Sequence, residues 1–162
     1  FIFLSIKLNL KTLLIILKPK MNQKANNNFE KLLKKYKNNY DIEAYILAYD
    51  GLDYATKHLR KNRKSLHVTA RELTEGCRMY AINKYGFLAK QVLNHWNIKT
   101  TRDIGEIVFQ LIEFDLLGKA IDDKKENFNN LYDFNKAFSL KLECEYLHER
   151  DKWIIKYKPI NN

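Results

Sequence analysis

The sequence predicts an α+β fold, mainly α: a compact helical domain around a central buried helix, with a helix-turn-helix or winged-helix-like arrangement and a small C-terminal antiparallel β portion. Three observations predict it. From Phe29 to Trp96 apolar residues recur at three- and four-residue steps, the period of amphipathic helices. From Ile104 to Leu117 apolar side chains leave only a narrow polar stripe of Arg102, Glu106, Gln110 and Glu113, and a helix apolar on most sides belongs at the centre of a fold. From Leu140 onward the period falls to two, the signature of strands.

The elements follow in order. Asn22 to Asn28 is polar and Asn-rich and reads as a flexible lead-in. Phe29, Leu32, Leu33 and Tyr36 then share one helical face, with Lys31, Lys34 and Lys35 opposite. Asp41 is an N-cap for a second helix from Ile42 to about Leu59, whose stripe of Tyr45, Tyr49, Leu52, Thr56 and Leu59 reads as core. Thr69 and Glu72 have the spacing of a capping box, so a third helix starts there; Leu73, Gly76, Cys77, Tyr80 and Ala81 form its buried stripe, and Gly86 ends it. A short helix over 88–96 turns Leu88, Ala89, Val92, Leu93 and Trp96 inward and Lys90, Gln91 and Asn94 outward.

Thr100 or Thr101 caps the central helix, Asp103 and Glu106 lie in its first turn where the dipole favours acids, and Gly118 is its expected stop. Residues 119–134 read as a short hairpin or wing around a turn at 122–127. Leu140, Leu142, Cys144 and Tyr146 alternate with charged residues, as do Trp153, Ile155 and Tyr157 beyond the turn at 148–152, giving a C-terminal hairpin. The expected organisation is an extension over 1–28, one helical domain over 29–138 and a β-hairpin extension over 139–162.

Of 162 residues, 29 are Lys or Arg and 19 are Asp or Glu, a formal charge of +10 that raises the expectation of a polyanionic partner. Two features shrink that signal. The cations are 23 Lys and 6 Arg in a chain crowded with Asn, Ile, Phe and Tyr, the residues that AT-rich codons supply. In addition, Phe1 to Lys20 lacks a Met, and a start at Met21 would leave 25 cations against 19 acids, a charge of +6. A signal or anchor, and a genuine N-terminal element, are the other readings of those twenty residues. However, Lys7, Asn9 and Lys11 interrupt their apolar run, and Lys18-Pro19-Lys20 follows it in place of small cleavage-site residues. Cys77 and Cys144 lie far apart and neither begins a CxxC pair, so free thiols and a cytoplasmic address are expected.

Particular residues carry a family resemblance. His67-Val68-Thr69, Glu72-Leu73, Gly76, Tyr80-Ala81, Tyr85-Gly86, Ala89, Val92-Leu93, Asn94-His95-Trp96, Thr101, Asp103 to Phe109 (DIGEIVF) and Tyr132-Asp133-Phe134 together resemble the Minf_1886 family of small bacterial proteins, found mainly in planctomycetes and verrucomicrobia. The likeness runs over 29–138, with Asn97 standing where a glycine is usual. That family carries no assigned activity, so the resemblance implies a kind of protein without a mechanism.

Enzyme chemistry finds little to work with. Ser5, Ser65 and Ser139 have no GxSxG setting, and five separated glycines make neither a dinucleotide fingerprint nor a phosphate loop. His58, His67, His95 and His148 lack metal-ligand spacing, with Cys144 and His148 only a weak pair. Cys77 with His95 is a conceivable nucleophile and base, against a core role for Cys77. Asp103 and Glu106 read as helix N-terminal acids before they read as a catalytic pair. No catalytic residue, cofactor or metal is expected.

The leading expectation is therefore a non-enzymatic interaction module with a protein partner and no membrane association. The alternative is a nucleic-acid-binding protein of helix-turn-helix or winged-helix type, contacting DNA or RNA. Lys57 to Lys64 (KHLRKNRK) holds five cations in eight residues, either a solvated helix end or a phosphate-contacting patch. Its contact set would be Lys57, Arg60, Lys61, Arg63 and Lys64 for the backbone, with Lys90, Gln91, Asn94 and His95 on the reading helix.

Overall fold

The computed structural model describes residues 23–59, 67–120 and 123–160. These form a mainly helical fold with one two-stranded antiparallel sheet at the C-terminal end. Helix α1 spans Gln23–Lys35, beginning six residues ahead of Phe29. The expected flexible lead-in is thus corrected from Gln23 on. Asn26 joins Phe29 and Leu32 on the buried face, and the Asn28 amide donates to the Phe114 carbonyl at 2.9 Å, so tertiary contacts outweigh a polar composition.

Helix α2, Ile42–Tyr54, is capped by Asp41, which accepts from the Ile42 amide at 2.8 Å, and runs on as a π turn over Ala55–Leu59. Helix α3, Ala70–Tyr85, opens with the expected capping box: Thr69 Oγ1 accepts from the Glu72 amide and Glu72 Oε2 accepts from the Thr69 amide. The two helices pack backbone to backbone where Gly51 meets Cys77 and Gly76 meets Ala55. Gly86 closes α3 at φ 55° and ψ −129°, a conformation open to glycine, while the Tyr157 ring occupies the space a Cβ would need.

After the 3₁₀ turn Gly86–Leu88 comes α4, Ala89–His95. Ala89 and Leu93 are buried, Val92 and Trp96 are half-buried, and Trp96 meets the Tyr85 ring edge to face. Leu88, expected inward, is instead 58% exposed, because the tighter turn rotates it out of the helical phase. Helix α4 ends in a Schellman motif, with Asn97 bonded to Asn94, Ile98 bonded to Leu93, and Asn97 in the left-handed region at φ 65°. A glycine there would adopt that φ freely. Asn97 compensates by donating its amide to the Asn39 carbonyl at 2.7 Å. Asn97→Ala is expected to cost about 2 kcal/mol in urea denaturation, while Asn97→Gly, trading the hydrogen bond for relief of strain, stays near neutral.

Helix α5, Thr101–Glu113, is the central one, with Ile104, Ile107, Val108 and Leu111 buried and Gln110 accepting from the buried Tyr45 hydroxyl at 2.7 Å. It stops at Glu113, short of the expected Leu117. Asp115 takes φ 55°, and the Asp115 and Leu116 amides bond to the Ile112 and Leu111 carbonyls in a second Schellman motif. Gly118 is therefore not the stop. Lys35 and Tyr36 of the α1 end both bond Glu113, tying α1 to the α5 terminus.

The expected wing over 119–134 is also corrected. Its described residues hold a 3₁₀ turn at Lys125–Phe128, followed by the short helix α6, Phe134–Ala137, and they pair with no strand. Phe128 is drawn onto α5, where its side chain fills the space beside Gly105. The hairpin that does form is β1, Leu140–Leu147, with β2, Lys152–Pro159, turning through His148–Arg150. Its register sets Leu142 opposite Tyr157, Cys144 opposite Ile155 and Tyr146 opposite Trp153.

Candidate interaction site

Period-two alternation sorts the hairpin side chains onto two faces. One carries Lys141, Glu143, Glu145, Lys152, Lys156 and Lys158, and both its glutamates are paired with lysines. Glu143 lies 3.1 Å from Lys141 and 2.5 Å from Lys158, and Glu145 lies 2.5 Å from Lys156. Those lysines hold both carboxyls below the usual glutamate range, Lys158 acting most strongly on Glu143 and Lys156 on Glu145. The other face carries Leu140, Leu142, Cys144, Tyr146, Trp153, Ile155 and Tyr157, without a charge.

Among the described residues, only the root of that apolar face is covered. Leu140 joins the core, and Tyr157 seats over Gly86 with its ring edge to face against Phe87 at 5.2 Å. Further out, Leu142 is 45%, Ile155 58% and Trp153 67% exposed, and Phe87 itself is 50% exposed. Four large apolar side chains on one continuous surface differ from the scattered exposed residues that any protein carries.

The residues expected to contact nucleic acid are distributed less simply. Lys57, in the π turn, pairs with Asp53 at 2.7 Å, while Arg60, Lys61, Arg63 and Lys64 lie outside the described residues. On α4, Lys90 bonds Asn135, Gln91 is exposed, and Lys90 and Asn94 line a polar cleft of about 580 Å³. Lys99, Asn130, Tyr132 and Asn135 share that cleft; sequence spacing gives no hint of them, because Lys99 lies beyond the end of α4 and the other three come from a segment some thirty residues further along. His95 is exposed beside Lys37 and Asn39 on a shallower surface that Asn94 also borders.

Groups with catalytic potential have structural roles. Cys77 is buried, its Sγ donates to the Leu47 carbonyl at 3.6 Å, and burial pushes its thiol up to about 12. His95 lies on the surface, so these two do not form a nucleophile and base. Asp103 closes the α5 capping box, Glu106 pairs with Lys125, and the Ser139 hydroxyl donates to the Asn135 carbonyl. Among the described residues no three His, Cys, Asp or Glu side chains converge as metal ligands, and no helix is long and apolar enough to cross a membrane. Comparisons with protein-family models, curated proteins and solved structures find no match.

Proposed function

We propose that this chain is a non-enzymatic interaction module that binds its partner through the apolar face of the C-terminal hairpin. One observation carries the reading: Leu142, Ile155, Trp153 and Phe87 form an uncharged surface left open to solvent among the described residues. Water-exposed apolar area of this extent gains free energy when covered, and aromatic anchors such as Trp153 are the side chains from which interfaces draw most of their affinity. The paired charges on the opposite face keep that side soluble.

The test is a photo-crosslinking amino acid placed at Ile155 and, as a control, at Lys156 on the opposite face, in the chain expressed in cells. Protein adducts from Ile155 and none from Lys156 are expected, whether the captured protein is another chain or the same one. Adducts from neither position, or equally from both, would remove the proposal.

A second reading, nucleic-acid binding, draws support from the cleft that brings Lys90, Asn94 and Lys99 together. It predicts binding to generic duplex DNA or RNA that falls steeply with salt and weakens several-fold in Lys90→Glu and Lys99→Glu. No binding at low salt would eliminate it.

A further inference from the structure

The partner of the hairpin face can be narrowed by chemistry. Every charged side chain of the two strands lies off the apolar face, and the strand acids Glu143 and Glu145 are already paired with lysines of the same hairpin. A polyanion therefore finds no cation there, and an acidic peptide finds no counter-charge. What fits is another uncharged, aromatic-rich apolar surface.

The size of the face also bears on its occupant. The exposed parts of Leu142, Trp153, Ile155, Tyr157 and Phe87 amount to roughly 500 to 600 Å², a large share of the about 800 Å² per partner of a standard stable interface. A two-stranded hairpin covered only at its root among the described residues gains little stability from packing, and a second sheet is one way to cover the rest. Two sheets pack face to face at about 10 Å when their inner side chains interdigitate. An identical hairpin supplies such a sheet with the same area and no charge, and homodimer interfaces are the most apolar class.

From these observations we propose that two copies of this chain associate through a two-fold, isologous contact, the apolar hairpin face of each stacking on that of the other to make a four-stranded sandwich. This deepens the interaction-module reading and rests on it. The overall positive charge of the chain opposes association at long range, but salt screens that term while the uncharged contact itself is indifferent to salt. Self-association therefore strengthens modestly as ionic strength rises, the reverse of a charge-driven complex.

The experiment is sedimentation velocity of the full chain across the micromolar range, beside the rate at which Cys144 reacts with a thiol reagent. Cys144 lies on the same apolar face as Ile155, directly across the ladder from it, and is exposed in the single chain, whereas Cys77 is buried and serves as the unreactive internal control. The expected result is a shift from one chain to two with rising concentration, with Cys144 reactivity falling several-fold over the same range. Ile155→Asp and Trp153→Ser are expected to weaken the association by about thirtyfold or more while Lys156→Ser leaves it intact. Thermal unfolding of each variant checks that these exposed substitutions leave the fold in place.

A single chain at every concentration, or a dimer indifferent to Ile155→Asp, would overturn the self-pairing. The crosslinks at Ile155 separate the two failures. Adducts to a different protein from a chain that stays monomeric overturn self-pairing alone, whereas no adducts and no dimer overturn both.

Discussion

Gly76→Ala is expected to destabilise the fold by about 2 kcal/mol or more, although helix propensity alone predicts the opposite. Alanine is favoured over glycine inside a helix by about 1 kcal/mol, and Gly76 sits well within α3. The packing decides against it. A Cβ at Gly76 would lie 2.2 Å from the Gly51 carbonyl oxygen and 2.9 Å from the Ala55 Cβ, and neither a backbone carbonyl inside α2 nor a short side chain can swing aside. The helices must separate, and that opens the contact Cys77 makes with Gly51 on the same line. Gly118→Ala is the control, because nothing lies within 4 Å of its added Cβ and the change should stay within about 0.5 kcal/mol. Urea denaturation of the two variants checks the pair, and a neutral Gly76→Ala would mean that α2 and α3 are not in backbone contact.

Gly76 also shows what is legible in the sequence and what is not. Its place on the buried stripe of α3 follows from period alone, but the reason for glycine there, the close approach of α2, lies in a partner helix that local pattern does not reveal. The same division runs through the fold. The capping box at Thr69, the Asp41 cap and the Ile104 to Leu111 core are local signals and hold in the structure. The end of α5 is misread because Asp115, not Gly118, takes the left-handed position, and Asp adopts it less often than glycine. The false wing at 119–134 arises because Phe128 and Phe134, which suggest a strand by type, are drawn onto the helices one at a time.

For the site, alternation in the hairpin is plain from the sequence, but alternation says only that one face is apolar. Whether that face is covered depends on how many other elements reach it. Here the described residues reach only the root of the hairpin, at Leu140 and Tyr157, leaving Trp153 and Ile155 outside. The polar cleft at Lys90 and Asn94 is half legible. Those two residues share a helix face by spacing, whereas Lys99, Asn130 and Asn135 join them only through the fold.

Stability is expected to fall as pH rises above about 9, well before arginine titrates, because the folded chain holds several acidic protons more tightly than the unfolded chain does. Burial raises the Cys77 thiol from 9.0 to about 12 and the Tyr49 hydroxyl from 10.0 to about 12. Burial likewise pushes up Tyr40, Tyr45 and Tyr132, whose hydroxyls donate to Asp103, Gln110 and the Thr74 carbonyl. Each of these groups is neutral when protonated, so a raised folded value means that the unfolded state releases its proton first. Their contribution is therefore fully present below the unfolded value and is lost between that value and the folded one. Cys77, fully enclosed, accounts for about 4 kcal/mol of that loss by pH 12, enough by itself to consume a large part of an ordinary domain's stability. Urea midpoints at pH 7, 9, 10 and 11 should decline progressively from pH 9. Cys77→Ala should delay the onset until the tyrosines begin to ionise near 10, whereas a midpoint flat to pH 11 would show that these groups are reached by solvent and that the α2–α3–α5 core is looser than its contacts imply.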